Sequence, residues 1–213
     1  MPKETFLRLP EQKQETVMRA AIGEFMRCGF EKANVGTIAK NAEIAKGSIY
    51  QYFENKEELF RYALEWAVRF FATEYGQQYS RSVTDLFEFF RESAEPMMRQ
   101  IQTEYELAVF VQEVFLGHYN NVARDLTEVM LRSVDGIMLG MIRQGKENGS
   151  IRCDISDELL VKFMEGASMR LKEDILRRAK EEGNSAFQNG FAEYETEMNA
   201  LIELLKNGMG AKE

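Results

Sequence analysis

Residues 44–60 read Ile-Ala-Lys-Gly-Ser-Ile-Tyr-Gln-Tyr-Phe-Glu-Asn-Lys-Glu-Glu-Leu-Phe. The stretch from Lys46 to Tyr52 combines hydrogen-bond donors with small residues, and Asn55, a residue type preferred at helix N-termini, follows it. This order predicts a short helix, a brief connection and the start of a longer helix. Donors beside residues that allow close approach are typical of the second helix of a helix-turn-helix, which enters the major groove of DNA.

The preceding residues supply the other two helices of such a unit. A first helix is predicted from about Glu11 to Cys28, where Gly29 takes a left-handed cap and Phe30 folds back onto the helix. Asn34 is expected to cap a second helix over residues 35–41.

Local signals also predict the turn of the helix-turn-helix and the helix that follows it. Residues 42–44 form the turn, and the short helix covers residues 45–52. Asn55 caps the next helix, and Glu58 stands three residues later as its capping-box partner.

Composition restricts the class of protein. The chain has 213 residues and is 45% apolar, which suits one small and one larger globular domain. No apolar run approaches the ~20 residues of a membrane helix, and the N-terminus lacks the apolar core of a signal peptide. We therefore expect a cytoplasmic protein that does not insert into a membrane.

Metal-ligand and disulfide chemistry are not expected. The two cysteines, Cys28 and Cys153, lie far apart in the sequence, and there is a single histidine. No zinc-type spacing can be written from these residues, and buried reduced thiols are favoured over a disulfide framework. The sequence predicts no metal site and no cofactor.

The charge is distributed unevenly. The whole chain carries −8, yet residues 1–60 hold nine basic and nine acidic residues and are neutral. The acidity therefore lies outside the predicted DNA-binding part, where it discourages non-specific attachment to nucleic acid.

Apolar residues at spacings of three and four recur along the chain, and strand-like alternation is rare. The sequence predicts an all-α protein of about nine helices. The predicted domains are a helix-turn-helix domain at residues 1–55 and a ligand-binding and dimerisation domain at residues 56–213. Five helices are expected in the C-terminal part, at about residues 83–101, 104–117, 121–147, 157–181 and 190–207, with residues 183–185 starting a loop.

One segment of the chain resembles the tetracycline-repressor (TetR) family of bacterial regulators. The resemblance is continuous over about residues 13–60, whereas residues 61–213 agree only in helix count and length. It implies a homodimer with one helix-turn-helix per subunit and a C-terminal domain that often binds a small inducer. The residues that carry it are Val17-Met-Arg-Ala-Ala21, Phe25, Gly29-Phe30, Ile38-Ala39, Lys46-Gly-Ser-Ile-Tyr-Gln-Tyr-Phe53 and Asn55-Lys-Glu-Glu-Leu59.

The resemblance also implies residue roles in DNA binding. Tyr50 and Lys56 fall on positions used for phosphate contacts, and Gly36 and Thr37 fall at the start of the second helix, which can also touch DNA. The residues that fall on the recognition helix are Lys46, Gly47, Ser48, Gln51 and Tyr52. Alternatives remain: packing for the two tyrosines, and a solvent-exposed charge for each lysine.

The turn departs from the family pattern. Glu43 stands where the family usually has glycine. A non-glycine residue in the left-handed conformation costs about 1 kcal/mol. The turn is therefore expected to be strained or slightly different.

Two apolar stripes near the C-terminus predict a dimer interface. Such stripes fit a four-helix bundle built from two helices of each subunit, and two operator half-sites require a dimer. The alternative is that both stripes cover the core of their own domain. The predicted interface residues are Leu160, Met164, Ala167, Leu171, Tyr194, Met198, Leu201 and Leu205.

The middle of the chain is dense in methionine and aromatic residues, which favours an adaptable apolar pocket. Core arginines are scarce there, so the expected effector is apolar or amphipathic rather than strongly anionic. An ordinary core is the alternative. The predicted wall residues are Trp66, Phe90, Tyr105, Phe110, Met138 and Met141.

These observations predict a ligand-responsive repressor that binds double-stranded operator DNA and is released by a small effector. An architectural or partner-regulated DNA-binding protein without a switch is the alternative. A helical lipid carrier or an enzyme would require the N-terminal motif to be accidental. No nucleophile–base pair, phosphate loop or metal cluster is evident, so the chain is not expected to be an enzyme.

Overall fold

The computed structural model describes residues 1–79, 86–182 and 184–210. These residues form ten helices, with one isolated antiparallel bridge between Ile151 and Gly210. The predicted all-α class is confirmed. The helices are α1 (Glu4–Leu7), α2 (Glu11–Lys32), α3 (Val35–Asn41), α4 (Lys46–Tyr52), α5 (Lys56–Tyr79), α6 (Leu86–Thr103), α7 (Tyr105–Phe115), α8 (Asn120–Glu147), α9 (Asp157–Glu182) and α10 (Asn184–Met209).

The structure differs from the expected elements at three places. Helix α2 runs to Lys32, past the predicted end at Cys28, across a non-helical Gly29. Helix α1 was not predicted, because four residues are too few to show a helical period. Helix α10 begins at Asn184 rather than near residue 190, so Asn184 and Ser185 are helical and not part of a loop. Helix α10 packs on α6 and α9, and such tertiary contacts override a weak local preference for a turn.

The chain forms two compact units. The first unit contains Met1–Gly76 and Glu104–Thr127, and the second contains Gln77–Thr103 and Glu128–Glu213. The helix-turn-helix thus shares one unit with most of α5, with α7 and with the start of α8. The compact units do not divide at residue 55, and the predicted boundary there between a DNA-binding and a ligand-binding domain stays a prediction.

An aromatic cluster forms much of the core of the first unit. The rings of Phe25 and Phe60 lie 4.9 Å apart between centroids, and Phe60 lies 5.4 Å from Phe110 and 5.0 Å from Tyr119. The Tyr119 hydroxyl donates a hydrogen bond to the carbonyl of Phe25, at 3.2 Å. Helices α2, α5 and α7 are joined at this cluster.

The second unit has its own apolar core. Residues from α6, α8, α9 and α10 contribute to it, together with Ile151, which forms the antiparallel bridge with Gly210. Asp157 accepts hydrogen bonds from Lys146 at 2.7 Å and from Arg143 at 3.1 Å, which fixes the start of α9 against α8. The buried members are Leu86, Phe87, Ile142, Ile151, Leu160, Val161, Met164, Ile202, Leu205 and Met209.

Among the described residues, no helix is both long and apolar enough to span a bilayer.

Candidate DNA-binding site

The turn between α3 and α4 has the geometry of a Schellman motif. Glu43 adopts φ 55°, the left-handed region that the sequence analysis anticipated at this position. The Glu43 N–H donates to the carbonyl of Lys40 at 3.1 Å, and the Ile44 N–H donates to the carbonyl of Ala39 at 2.9 Å. These two bonds give hydrogen-bond partners to the last carbonyls of α3 and direct the chain into α4.

The end of α2 is shaped by Gly29. Its φ of 71° and ψ of 166° lie in a region that essentially only glycine adopts, so the positive φ is confirmed although the conformation is not a left-handed helical cap. Phe30 does fold back, and its ring lies 6.1 Å from Phe25 and 5.6 Å from Phe60.

The start of α3 is held by a buried carboxylate that the sequence analysis missed. Glu24 is buried, and its carboxylate accepts hydrogen bonds from the Asn34 N–H at 3.0 Å and from Arg27. Burial raises the pKa of Glu24, but the hydrogen bonds and the charge of Arg27 outweigh burial and leave the pKa below its usual value. Asn34 in turn accepts from the Gly36 N–H at 2.7 Å and caps α3, as predicted.

Helix α4 has one apolar and one polar face. Ile49 is buried, whereas Tyr50 is 47% exposed and Gln51 is exposed. Lys46 and Gly47 are also exposed at the first turn. The predicted donors Lys46, Tyr50 and Gln51 therefore lie on the solvent side of the helix, and Ile49 attaches the other side to the core.

The structure brings Lys46 next to Gly36 at the start of α3. A Cβ atom built on Gly36 would lie 3.7 Å from Cδ of Lys46, so the lysine stem passes over the glycine. No ion pair or hydrogen bond within the described part of the chain holds the Lys46 ammonium. Thr37 and Ser48 are half-buried in the same two helices.

Lys56 is already engaged within the chain. Its ammonium donates to the carbonyls of Glu31 at 2.9 Å and of Ala33 at 3.3 Å, and it lies 4.7 Å from the centre of the Phe30 ring. An ammonium has three donors, so one remains for a phosphate. Lys56 therefore fixes the connection between α2 and α3, a role that the sequence analysis did not anticipate.

Helix α5 begins with the predicted asparagine cap. Asn55 accepts from the Glu58 N–H at 2.8 Å. Glu58 reaches back to the Glu54 N–H, at 2.7 Å, rather than to the Asn55 N–H of a standard capping box. Tyr52, just before this connection, is half-buried, and its ring lies 5.5 Å from that of Phe6.

The predicted pocket residues belong to both compact units. In the first unit, Phe110 is fully buried in the aromatic cluster, Trp66 lies 5.9 Å from the Arg19 guanidinium, and Tyr105 is half-buried. In the second unit, the half-buried Phe90, Met138 and Met141 pack against the core.

A cavity of about 360 Å³ lies beside the first turns of α5. Four of its eight lining residues are glutamates, so its chemistry does not suit an apolar ligand.

The predicted dimer residues lie mainly on the inner faces of α9 and α10. Leu160, Met164 and Leu205 are buried in the core of the second unit, which is the alternative that the sequence had left open for these stripes. Three further residues, Ala167, Met198 and Leu201, are half-buried against the same core. Leu171 is half-buried, and the side chain of Tyr194 lies outside the described residues.

Residues 17–63 match the model of a family described as bacterial regulatory proteins, tetR family. The matched segment runs from α2 into α5 and contains the complete helix-turn-helix. Fold and motif together define a DNA-binding transcriptional regulator of the helix-turn-helix class. Over this segment the chain matches the TetR family of bacterial regulators, which confirms there the resemblance drawn from the sequence.

Two curated relatives extend the similarity beyond the motif. The HTH-type transcriptional repressor DhaR of Mycobacterium sp. (strain GP1) is 25% identical over 162 residues, which are 70% of this chain and 76% of the relative. The fatty acid metabolism regulator protein of Bacillus subtilis (strain 168) is 23% identical over 210 residues, which are 94% of this chain and 97% of the relative.

Solved structures show the same fold. A TetR family transcriptional regulator from Chloroflexus aurantiacus J-10-FL superposes with a TM-score of 0.78 at 21% identity and covers 100% of both chains. The transcriptional regulator FadR from Bacillus subtilis, solved in complex with stearoyl-CoA, gives a TM-score of 0.66 at 19% identity over 91% of this chain and 98% of that chain.

Proposed function

We propose that the exposed face of α4 reads the major groove of operator DNA and that DNA binding represses transcription. The observation that carries the proposal is the arrangement of Lys46, Tyr50 and Gln51 on the solvent side of a helix whose opposite side is buried through Ile49. A Gln side chain can make a bidentate contact with adenine, and Lys and Tyr can position the helix through phosphates. This protein would act in the cytoplasm, where bacterial operator DNA is found.

We further propose a homodimer that uses the outer faces of α9 and α10. Leu159 and Phe163 are 57% and 48% exposed one turn apart on α9, and Leu204 is 67% exposed on α10. Phe163 lies against Gly208, since a Cβ atom there would be 3.5 Å from the ring. Large apolar residues exposed side by side on two helices are typical of a surface that a second chain covers.

The proposed effector is apolar or amphipathic, and a long-chain acyl group is the favoured chemistry. Similarity over nearly the full chain to a regulator named for fatty acid metabolism supports this class, as does the fold shared with FadR, which binds stearoyl-CoA. Within the second unit, the predicted wall residues Phe90, Met138 and Met141 pack against one core, and they are the candidates for the acyl-chain site.

Coupling between effector and DNA has a physical basis in the first unit. Arg19 of α2 makes a two-armed ion pair with Glu104, just before α7, at 2.6 Å and 3.0 Å. Arg61 of α5 makes a similar pair with Asp125 of α8, at 2.7 Å for one arm, and this pairing lowers the pKa of Asp125 to about 2. A displacement of α7 or of the start of α8 would therefore be transmitted directly to the helices that carry the helix-turn-helix.

One observation favours the alternative of a DNA-binding protein without a small-molecule switch. Phe110 is fully buried, and its ring lies 5.4 Å from Phe60 and 5.8 Å from Tyr119. This predicted wall residue is therefore part of a packed core, as expected if that region is solid.

The test begins with selection of the operator from a random DNA library. We expect Gln51→Ala to change the ranking of operator variants and Tyr50→Phe to weaken all of them alike. Stearoyl-CoA, free stearate and coenzyme A alone would then be added to the complex. Release by stearoyl-CoA or stearate supports the switch, whereas release by none of them, together with no thermal stabilisation, favours the alternative. A Gln51→Ala variant with unchanged ranking contradicts base reading by α4.

A further inference from the structure

The residues that precede α2 reach the far end of the recognition helix. The Lys3 N–H donates to the carbonyl of Tyr52 at 2.8 Å, and the Lys3 ammonium donates to the carbonyl of Tyr50 at 2.9 Å. The Thr5 hydroxyl donates to the carbonyl of Gln51 at 2.6 Å. Three hydrogen bonds therefore join residues that are 46, 47 and 49 positions apart in the chain.

These bonds complete the hydrogen bonding of the last turn of α4. The final four carbonyls of any α-helix lack a partner within the regular helix. In α4 the carbonyl of Ile49 accepts from the Phe53 N–H at 2.8 Å, and the other three accept from Lys3 and Thr5. The positive charge of Lys3 also lies at the negative end of the helix dipole, which is favourable.

Phe6 anchors the same segment to the core. It is fully buried, and its ring lies 4.9 Å from Phe53, 5.5 Å from Tyr52 and 5.6 Å from Tyr62. The segment thus stays attached to the end of α4 and to α5 even when one polar bond is removed. This separation allows the hydrogen bonds to be tested without unfolding the unit.

We propose that Lys3, Thr5 and Phe6 form a positioning clamp that holds the last turn of α4 in the orientation needed to read DNA. Helix α4 has seven residues, and so short a helix is not stable without external partners. The clamped turn carries Tyr50 and Gln51, so fraying there would displace the base-reading side chain. The inference rests on the proposed DNA-reading role of α4.

The first test uses the full chain without DNA. Thr5→Val removes one hydroxyl donor and keeps the side-chain shape. Thr16→Val is a matched control, because the Thr16 hydroxyl donates to the carbonyl of Gln12 at 2.8 Å on α2, in the same chemistry but away from α4. We expect hydrogen exchange in peptides covering residues 46–53 to accelerate about two- to tenfold in Thr5→Val only. Equal exchange in both variants would overturn the clamp.

The second test uses the selected operator and its variants. Thr5→Val and Lys3→Met are expected to lose about two- to tenfold in operator affinity per subunit. They should also reduce the affinity differences among the operator variants whose ranking Gln51→Ala alters. The slope of log affinity against log salt should stay unchanged, because neither residue contacts phosphate in the clamp. Lys13→Met is the charge control. A slope flattened by about 1 per subunit in Lys3→Met would make Lys3 a phosphate ligand and contradict its role in the clamp.

The two proposals fail in distinguishable ways. If Gln51→Ala changes operator ranking while Thr5→Val leaves ranking and affinity at the values of the unmodified chain, the clamp is overturned and the role of α4 stands. If Gln51→Ala has no effect on ranking, the role of α4 fails, and the proposed effect of the clamp on DNA reading fails with it.

Discussion

Glu43 shows how one residue stores conformational strain in a DNA-binding turn. Its φ of 55° costs about 1 kcal/mol relative to glycine, and the Schellman hydrogen bonds hold it there. We expect Glu43→Gly to raise the midpoint of thermal unfolding by about 2–4 °C. Lys40→Gly, in the helical part of α3, should have the opposite effect, because glycine destabilises a helix interior. Calorimetry would measure the midpoint of thermal unfolding of both variants and of the unmodified chain. A midpoint that falls in Glu43→Gly would show that the glutamate side chain stabilises the turn.

Glu165 provides a prediction on pH in the second unit. The protonated Glu165 carboxyl donates a hydrogen bond to the Asp135 carboxylate, and this bond, together with burial and the charge of Asp135, raises the pKa of Glu165 to about 7. The folded unit therefore holds a proton that the unfolded chain releases above its ordinary pKa of about 4.5. Since the folded state binds more protons in this window, the free energy of unfolding should fall as the pH rises from about 4.5 to 7.

Glu165→Gln mimics the protonated side chain and should remove this pH dependence. Thermal unfolding at pH 5 and pH 8 would be compared with Glu203→Gln, an exposed position on α10. A pH dependence in Glu165→Gln equal to that of the unmodified chain would mean that Glu165 does not titrate in this range.

At the scale of the recognition element, Lys46 and Lys56 occupy different environments. The Lys46 ammonium is exposed, whereas Lys56 is bonded to two carbonyls of the connection between α2 and α3. We expect each alanine variant to flatten the log–log salt dependence of operator binding by about 1 per subunit. Only Lys56→Ala should also lower the thermal midpoint, because it removes two hydrogen bonds and the contact with the Phe30 ring.

Salt titrations of operator binding, with calorimetry of the free protein, would measure both effects. An unchanged slope for Lys56→Ala with a lower midpoint would assign that lysine a structural role alone. An unchanged slope for Lys46→Ala would show that this lysine does not reach phosphate.

At the scale of the whole molecule, α9 and α10 each have an inner face in the core of the second unit and an outer face in the proposed dimer interface. Leu159→Glu and Leu204→Glu place a charge on the exposed faces of α9 and α10, where the unpaired charge would be buried on dimerisation at a cost of several kcal/mol. We expect a folded monomer by light scattering, with operator binding lost.

Leu205→Glu should instead unfold the second unit, because Leu205 lies in its core. Lys162→Glu is the exposed control on α9, and dimers that persist in both leucine variants would place the interface elsewhere.

Local signals were sufficient for the helical class, the helix-turn-helix and most helix ends. Asn34, Asn55 and Gly29 act on backbone groups within a few residues, so their types and spacing are enough to predict where a helix starts or is interrupted. The exposed donors of α4 followed from the same reasoning, because helical periodicity separates Ile49 from its polar neighbours.

Tertiary structure alone decided which partner each side chain meets. Periodicity places Leu160 and Leu205 on apolar stripes, but only packing shows that these residues fill their own core while Leu159 and Leu204 remain outside. The bonds from Lys3 and Thr5 to α4 join residues more than forty positions apart in the chain. No local preference specifies such contacts, because they form only when the folded backbone brings distant polar groups within hydrogen-bonding distance.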